Sequence, residues 1–261
     1  MQQDFEIVVI SLKDQKKRRE KIKAEMQKSE LVWQFITAIA GRDISYTNPH
    51  YDQKKRIKML GYDMRINEIA CFLSHRKAWQ LCADGNKSFL ILEDDVKISD
   101  EYITELNIVK IICQINNILS RGNIIRLGNS QLSQQHSNLT AIGGSHTLTR
   151  FKTNPSSAFA YLICPESAAA LLLHSSTFFT PVDDFMWRGW EHGCHILDVQ
   201  PAIITTSDLD NTSTIGERTK PKITLYNKFR REINQAFERR IRKCYEKTIL
   251  QSLKKQFLPQ E

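Results

Sequence analysis

Short apolar runs alternate with amphipathic or polar stretches through the first part of the chain. Residues 6–12 (EIVVISL) and 33–39 (WQFITAI) predict strands, and the polar residues 14–28 between them predict a helix. Residues 41–63 are polar and rich in turn residues, which predicts a loop or a short excursion. Residues 67–83 have apolar side chains at helical spacing before an Asp-Gly stop, so we expect a helix there.

The alternation continues to about residue 205. Residues 88–92 (SFLIL) are apolar throughout, as in a strand that is buried on both faces of a sheet, and they lead directly into three acidic residues. Further strands are expected at residues 123–127, 157–164, 195–199 and 202–205. Further helices are expected at residues 102–119, 165–174 and 181–192. The Ser-, Gln- and Gly-rich residues 129–144 predict a mobile loop.

Strands that alternate with helices predict an α/β domain with a mostly parallel central sheet, built by right-handed crossovers. A length of 261 residues, with 41% hydrophobic and 25% charged residues, suits a globular protein with one large domain or two small ones. The longest apolar stretches fall far short of the roughly 18 residues of a membrane-spanning helix, and the N-terminus lacks the basic region of a signal peptide. We therefore expect a cytosolic protein.

The net charge of +8 is concentrated near the C-terminus. Residues 218–255 hold 13 Lys or Arg and three Glu, so the rest of the chain carries 24 basic and 26 acidic residues. This distribution argues against nucleic-acid binding, because the body of the protein is not basic. We predict a division into a main domain at residues 1–222 and a basic helical tail at residues 223–261.

The tail has the pattern of an amphipathic helix from about residue 226 to residue 257. Its apolar residues fall within one broad stripe, which consists of Phe229, Ile233, Ala236, Phe237, Ile241, Cys244, Leu250, Leu253 and Phe257. Arg231, Arg239, Arg242 and Lys243 lie off the centre of this stripe. Such a helix can pack on the main domain or lie on an anionic membrane surface.

Three adjacent carboxylates, Glu93, Asp94 and Asp95, follow the strand expected at residues 88–92. Ligands of open α/β sheets bind beyond the carboxyl ends of the strands. Clustered carboxylates are best tolerated around a divalent cation such as Mg²⁺ or Mn²⁺. Because side chains alternate along a strand, Glu93 and Asp95 are expected on one side and Asp94 on the other. The alternative interpretation is a solvated acidic turn before the next helix.

A second acidic pair, Asp183 and Asp184, follows Pro181 in the first turn of a predicted helix. The helix dipole favours ionised carboxylates at this position, which suits a general base. A structural helix cap is the alternative and the commoner use of Asp there. Trp187 and Trp190 follow on one helix face, where we expect core residues or, if they are exposed, a platform for a sugar ring.

Polar residues interrupt the helix expected at residues 67–83. Glu68, Ser74 and His75 suit helix-start or buried hydrogen-bonding roles, and Cys71 and His75 have the i, i+4 spacing of a metal pair. We expect no further ligand near that pair, which argues against zinc. The sequence has no P-loop, G-x-G-x-x-G, G-x-S-x-G or H-E-x-x-H motif, which argues against kinases, dehydrogenases and serine hydrolases.

Seven motifs occur in the order seen in one enzyme family. They are residues 8–19 (VVISLKDQKKRR), 67–79 (NEIACFLSHRKAW), 89–96 (FLILEDDV), 124–128 (IIRLG), 158–172 (AFAYLICPESAAALL), 181–186 (PVDDFM) and 213–218 (STIGER). In this order they resemble glycosyltransferase family 25, the bacterial lipooligosaccharide galactosyltransferases and collagen galactosyltransferase domains, over about residues 5–220. The family usually has Gly at the positions of Asn67 and Ala70, which puts the backbone of that turn in question.

The resemblance implies a GT-A-like fold and an inverting transfer of a hexose, usually galactose, from a UDP-sugar to a glycan acceptor. It places Mn²⁺ or Mg²⁺ on Asp95, with Glu93 near the ribose or the water on the metal. It makes Asp183 the first choice for the base that activates the acceptor hydroxyl, with Asp184 as the second. The residues that it places around the donor are Ser11, Arg18, Glu68, His75, Glu93 and Asp94, with Arg126 and Arg218 as candidate phosphate or acidic-sugar contacts.

The acceptor class also bears on the tail. A lipid-anchored glycan is presented at the cytoplasmic leaflet, whose negative charge attracts a polybasic segment. We therefore predict that the protein lies on the cytoplasmic face of the bacterial inner membrane through its tail. Two alternative functions are transfer of glucose or another sugar by the same chemistry, and a metal-dependent phosphohydrolase, which would need further metal-binding His and Asp motifs than this chain has.

Overall fold

A computed structural model of the chain describes residues 5–27, 32–97, 122–128, 136–143, 146–154, 156, 158–206 and 224–257. The helix expected at residues 102–119 lies outside the described residues, as does Arg218. The strands that are described are β1 (Phe5–Ser11), β2 (Trp33–Thr37), β3 (Ser88–Glu93), β4 (Val96–Lys97), β5 (Asn123–Arg126), β6 (His136–Gly143), β7 (His146–Phe151), β8 (Ala160–Ile163), β9 (His195–Gln200) and β10 (Thr205–Thr206).

Helices cover both faces of the sheet. Besides a 3₁₀ turn at Gly41–Asp43, the described helices are α1 (Lys16–Gln27), α2 (Gln53–Leu60), α3 (Ile66–Ala83), α4 (Pro165–His174), α5 (Val182–Trp187), α6 (Gly189–His192) and α7 (Leu225–Phe257). No helix among the described residues is both long enough and apolar enough to span a membrane.

Eight strands form one mixed sheet in the order β2-β1-β3-β8-β5-β9-β7-β6. The pairs β1–β2, β1–β3 and β5–β9 are parallel. Strands β8 and β7 run antiparallel to both of their neighbours, so most strands point the same way. The prediction of an α/β domain with a mostly parallel sheet and a C-terminal helix is confirmed.

The period of two along the strands divides the core into two layers. In β1, Ile7 and Val9 face one layer, and Val8 and Ile10 face the other. The first layer is covered by α1 and by the end of α7, and the second is covered by α3, α4 and α5. Strand β3 is buried on both faces, as its continuous apolar sequence indicates.

Four elements differ from the sequence prediction. Helix α2 forms where a loop was expected, because Asp52 caps its first turn and Gly61, with φ 79°, ends it in the left-handed region. Strand β6 occupies part of the loop expected at residues 129–144, since it pairs with β7 across the sheet edge. The helix expected at residues 181–192 is interrupted at Arg188. Strand β10 pairs with β4 outside the main sheet.

Helix α7, which contains 33 residues, is anchored to the domain at several points. Leu253 is buried at 2% exposure, and Ile249, Leu250 and Phe257 pack around it. The Tyr245 hydroxyl lies 2.6 Å from His195 Nδ1, and a Cβ on Gly189 would collide with that hydroxyl. Arg230 and Asn234 donate to the carbonyls at the end of α2, at 3.1 Å each. Leu250, Leu253 and Phe257 of the predicted apolar stripe therefore pack on the core, whereas Cys244 is exposed.

The first half of the stripe is exposed. Phe229 and Phe237 are 69% and 64% exposed, and Ile233 is exposed between them. Side chains four residues apart share one helix face, so these three residues and Ile241 form a continuous apolar strip, which we call the α7 strip. The structure thus divides the stripe into a packed part and an uncovered part.

Candidate active site

A cavity of about 320 Å³ opens at the carboxyl ends of β1, β2 and β3. Its polar lining includes Ser11 at the end of β1, Arg18 of α1, and Glu93 and Asp94 at the end of β3. His75 and Cys71 of α3 face it from the neighbouring helix. This is the place where open α/β sheets bind ligands, and its volume lies within the usual range for small-molecule sites. We call it the β-edge cavity.

Asp94 is held by two side chains of the chain's own N-terminal segment. Ser11 Oγ donates to Asp94 Oδ2 at 2.7 Å, and Arg18 Nη1 donates to Asp94 Oδ1 at 3.1 Å. As the alternation along β3 predicts, Asp94 and Glu93 point to opposite faces, since Asp94 meets Ser11 and Arg18 on the side of α1 and Glu93 meets His75 of α3. Glu93 and Asp94 both line the β-edge cavity.

The Asp95 carboxylate has fewer hydrogen-bonding and charged partners than that of Asp94. Its Oδ1 is buried and has no hydrogen-bond partner in the part of the chain that the structure describes, and Arg18 approaches its other oxygen only to 3.9 Å. Burial and the adjacent charge of Glu93 raise the pKa of Asp95 to about 6. A carboxylate with an orphaned oxygen next to a second carboxylate fits a hard divalent cation, which would supply the missing positive charge.

Glu93 is oriented by a buried hydrogen-bonded chain. Trp79 Nε1 donates to the Tyr161 hydroxyl at 2.8 Å, which lies 2.8 Å from His75 Nδ1, and His75 Nε2 lies 3.3 Å from Glu93 Oε1. Indole can only donate, so the neutral arrangement has Tyr161 donating to Nδ1 and His75 donating from Nε2 to Glu93. His75 thus positions Glu93 in the β-edge cavity.

Glu93 lies close to Cys71 and His75, which the sequence pattern did not predict. The candidate ligand atoms of Cys71, His75 and Glu93 lie within 4.8 Å of one another, so the expectation that no further ligand lies near the pair is wrong. Glu93 belongs to β3, and only the packing of α3 on the sheet brings it there. Burial and the negative charge of Glu93 raise the pKa of Cys71 well above its ordinary value, which keeps the thiol protonated.

Asp183 and Asp184 begin α5, where the sequence placed them, and they face different surroundings. The Asp184 N–H donates to Asp183 Oδ1 at 2.9 Å, and Asn154 Nδ2 donates to Asp184 Oδ1 at 3.1 Å. Burial and the charge of Glu93 raise the pKa of Asp183. Surrounding protein and the charge of Asp183 raise the pKa of Asp184 to about 6. The negative charge of Glu93 therefore acts on Asp183.

A second cavity, of about 330 Å³, lies beside Asp184. It is enclosed by the segment before α5, by α5 and α6, and by α7, and we call it the α7 cavity. Asp184 lines it together with Thr180, Trp187 and Trp190. Asp184 thus belongs to a second ligand-sized space against the C-terminal helix, whereas the lining of the β-edge cavity contains neither Asp183 nor Asp184.

The other candidate residues have varied positions. Glu68 accepts the Arg65 N–H at 2.8 Å and completes a capping box at the start of α3. Arg126 is buried and pairs with Asp198 on the adjacent strand, with contacts of 2.7 and 3.1 Å, so it has a structural role in place of the expected ligand contact. Trp187 is buried and Trp190 is half-buried, so the pair is partly core and partly cavity wall.

A mostly parallel sheet with an acidic strand end and a second carboxylate pair at a helix start has the architecture of an α/β enzyme with its site at the sheet edge. The model of glycosyltransferase family 25 (LPS biosynthesis protein) matches residues 4–186. The chain belongs to this family. The resemblance seen in the sequence motifs is therefore confirmed.

Individual relatives are distant and much longer. Procollagen galactosyltransferase 1 of Danio rerio is 31% identical over 101 residues, which cover 35% of this chain and 16% of that protein. A glycosyltransferase 25 family member of Drosophila melanogaster is 29% identical over 137 residues, or 49% of this chain and 22% of that protein. A crystal structure of a glycosyltransferase involved in the glycosylation of the major capsid of PBCV-1 has a TM-score of 0.42 and 10% identity, with 90% of this chain and 100% of that chain covered.

Proposed function

We propose that the protein is a metal-dependent, inverting hexosyltransferase that moves galactose from UDP-galactose to a lipooligosaccharide or lipopolysaccharide acceptor. The observation that carries this proposal is the acidic strand end in the β-edge cavity together with the second acidic pair, in which Asp183 feels the charge of Glu93 and Asp184 lines a second cavity. Family membership supports glycosyl transfer. The names of the relatives support galactose, and the family description supports the acceptor class.

The donor is proposed to bind in the β-edge cavity. Ser11 and Arg18 lie at its wall, and their bonds to Asp94 fix the end of β3 relative to β1 and α1. Glu93, oriented by His75, faces the same space and is available to a ribose hydroxyl or to water on a metal. Rigid carboxylates held by a second layer of hydrogen bonds are what a preorganised site requires.

Asp95 and Glu93 are the residues proposed to hold the cation, because they are the carboxylates that Ser11 does not bind. When bound, Mn²⁺ or Mg²⁺ neutralises the diphosphate of the departing UDP. Arg18, which lies near both Asp94 and Asp95, adds a positive charge at the same end of the cavity.

Asp183 is proposed to remove the proton of the acceptor hydroxyl. In an inverting displacement the acceptor oxygen attacks the anomeric carbon from the face opposite the phosphate, and the bond from that carbon to the phosphate oxygen breaks. The electron pair leaves with UDP, and the hydroxyl proton passes to the carboxylate. The charge of Glu93 acts on Asp183, whereas Asp184 lines the α7 cavity. This difference favours Asp183 as the residue that contacts the reacting atoms.

Peripheral binding to an anionic membrane is proposed for the exposed half of α7. The α7 strip presents Phe229, Ile233, Phe237 and Ile241 to solvent, and the exposed Arg240 and Lys243 lie on the same helix. An uncovered apolar strip flanked by cations matches the chemistry of a negatively charged lipid surface. This would hold the enzyme at the cytoplasmic face of the inner membrane, beside a lipid-anchored acceptor.

The test of the proposed reaction is a transfer assay with UDP-galactose, UDP-glucose and UDP-N-acetylglucosamine, each with Mn²⁺ and a lipooligosaccharide acceptor preparation. The linkage formed is read from the anomeric signals in NMR spectra. We expect a β-linked galactose from the α-linked donor. An α-linked product contradicts inversion, and release of phosphate from simple phosphate esters without sugar transfer favours the phosphohydrolase alternative.

A further inference from the structure

The α7 cavity is separate from the β-edge cavity that is proposed to bind the donor, because the two cavities share no lining residue. It is formed where α7 passes α5 and α6, and Leu60 and Asn154 also line it, so four separate parts of the chain contribute to it. Its volume of about 330 Å³ is large enough for a small molecule. Asp184 on its wall joins it to the acidic pair at which the reaction is proposed to occur.

Two buried polar atoms on its wall lack partners. Thr180 Oγ1 and Trp187 Nε1 belong to side chains that are 5% and 3% exposed, and neither atom has a hydrogen-bond partner within the described ranges of the chain. Buried hydroxyl and indole groups are normally satisfied, because an unpaired one is costly. Both atoms are closed off from solvent, so a ligand hydroxyl group would satisfy them by displacing the side chains that cover them.

The helix α7 adds positive charge to the same cavity. Arg239 and Arg242 line it, and neither guanidinium forms an ion pair with any residue that the structure describes. Arg188, by contrast, is neutralised by Glu191 at 2.8 Å and Glu238 at 2.7 Å. Two arginines without carboxylate partners beside a cavity are suited to a phosphate or carboxylate group.

Aromatic surface completes the lining. The half-buried Trp190 stands on the wall, next to Phe179, which is buried and carries Lys55 over its ring at 4.2 Å. Aromatic rings provide flat apolar surface on which the C–H face of a sugar ring can pack, while the donors around them bind its hydroxyl groups. The combination of aromatic surface, polar donors and free cations specifies a charged saccharide better than a lipid or a peptide.

We propose that the α7 cavity is the acceptor subsite and that it takes a sugar carrying a phosphate or carboxylate group, which Arg239 and Arg242 bind. This inference rests on the proposed transferase function and names the chemistry of its acceptor. It also gives α7 a role in the site itself, because the two arginines belong to that helix.

The first experiment measures binding of soluble probes to the full chain by calorimetry or NMR. The probes are methyl glucoside, its 6-phosphate and methyl glucuronide, which differ in charge and share the ring. We expect at least one anionic probe to bind about tenfold or more tightly than the neutral parent. Equal affinities, or no binding of either anionic probe at 50 mM, overturn the proposal.

Paired variants assign the preference to the two arginines. R239Q/R242Q should abolish the preference for the anionic probe while neutral binding persists. K254Q/K255Q removes the same charge from exposed positions on α7 that do not line the α7 cavity, and it should keep the preference. If both variants lose the preference for anionic probes, the overall positive charge of α7 causes it, and the proposal is overturned.

Thr180→Val tests the wall of the cavity separately. It keeps the shape and removes a hydroxyl that has no internal partner, so the fold should be retained. We expect weaker binding of the neutral and anionic probes by the same factor, whereas R239Q/R242Q affects only the anionic ones. Unchanged binding of all probes by Thr180→Val contradicts the location of the subsite.

These measurements do not need a donor or turnover. A preference for the anionic probe together with failure to bind any UDP-sugar would refute the proposed function and leave the saccharide site in place. Binding of UDP-galactose without any anionic preference would refute only the acceptor subsite.

Discussion

Ser11 Oγ donates a hydrogen bond of 2.7 Å to Asp94, and this contact joins two strand ends that are 83 residues apart in sequence. Arg18 binds the other oxygen of the same carboxylate at 3.1 Å. Of the three adjacent acidic residues, Asp94 is therefore engaged by the protein itself. Asp95 keeps a buried oxygen without a partner among the described residues, and this difference underlies the proposed division between a structural carboxylate and a metal ligand.

The first prediction concerns Asp95. Asp95→Ala should abolish transfer and Mn²⁺-dependent binding of UDP, measured by calorimetry, while the circular dichroism spectrum is unchanged. Without metal, the melting temperature should rise, because burial beside Glu93 destabilises the ionised carboxylate. The comparison is Asp94→Asn, which should instead lower the melting temperature by removing charge from the pair with Arg18. Full activity in excess EDTA would disprove the metal assignment.

The second prediction separates Asp183 from Asp184. Asp183→Asn should lower kcat about a hundredfold or more with little change in donor binding, because it removes the proton acceptor and keeps the shape. Asp184→Asn should have a smaller effect on kcat and a larger one on the KM of the acceptor, since Asp184 lines the α7 cavity. The reverse pattern would make Asp184 the base.

The same pair predicts the acid limb of the pH profile. The pKa values of both carboxyls are raised, that of Asp184 to about 6. A base must be ionised, so kcat should rise with pH through a transition above the ordinary range of an aspartate, because the pKa of Asp183 is raised. A rate that is flat from pH 4.5 to pH 7.5 argues that neither carboxylate takes the proton.

The third prediction is acid destabilisation through His192. Burial lowers the pKa of His192 to about 4, against about 6.5 in an unfolded chain. Between these values the unfolded state binds more protons, so the free energy of unfolding falls as the pH drops from 6.5 toward 4. His192→Gln should reduce this dependence in urea titrations and leave the part due to His195, whose pKa is also lowered to about 4, whereas His136→Gln, at an exposed position, should leave it unchanged. Equal slopes for the two variants contradict the assignment to His192.

The secondary structure of the site region could be predicted from local sequence. Residues 88–92 are apolar and precede three acidic residues, and they form β3 (Ser88–Glu93) as expected. Helix α3 spans Ile66–Ala83 against a predicted 67–83, because its apolar spacing and its Asp-Gly stop are local signals. Helix α2 was missed because its sequence, QKKRIKML, is mostly polar, although Asp52 and Gly61 stand at its two ends as caps.

The convergence of the site could not be predicted from spacing alone. Glu93 meets Cys71 and His75 only because α3 packs against the sheet, and Trp79 and Tyr161 join the same chain from distant segments. Asp94 faces Ser11 because the register of β1 and β3, in which Ile10 pairs with Glu93, continues by one residue. The α7 cavity requires the docking of a helix more than 30 residues beyond α6.

The fourth prediction tests the α7 strip. The double variant F229Q/F237Q should lose flotation with liposomes that contain 30% anionic lipid, because it removes two exposed aromatic side chains. L81Q/L173Q removes two exposed leucines from other helices and should float like the unaltered chain. Binding should weaken in high salt. A truncation before α7 is unsuitable, since it would also remove Leu253 from the core.

Three outcomes contradict the membrane role. They are equal flotation of F229Q/F237Q and the unaltered chain, no flotation of either, and loss of a dimer in F229Q/F237Q by sedimentation without any effect on lipid binding. The last would assign the α7 strip to contact between two copies of the chain.

The most direct test of a metal-dependent UDP-sugar site is the melting temperature of the full chain with donor and metal together. At a hundredfold excess of donor over its Kd, binding adds about 2.7 kcal/mol, which raises the Tm of a domain of this size by about 5–10 °C. We predict this rise with UDP-galactose plus Mn²⁺, a smaller one with UDP-glucose, and none for Asp95→Ala. No rise with any UDP-sugar, or the same rise in the presence of EDTA, would contradict the account.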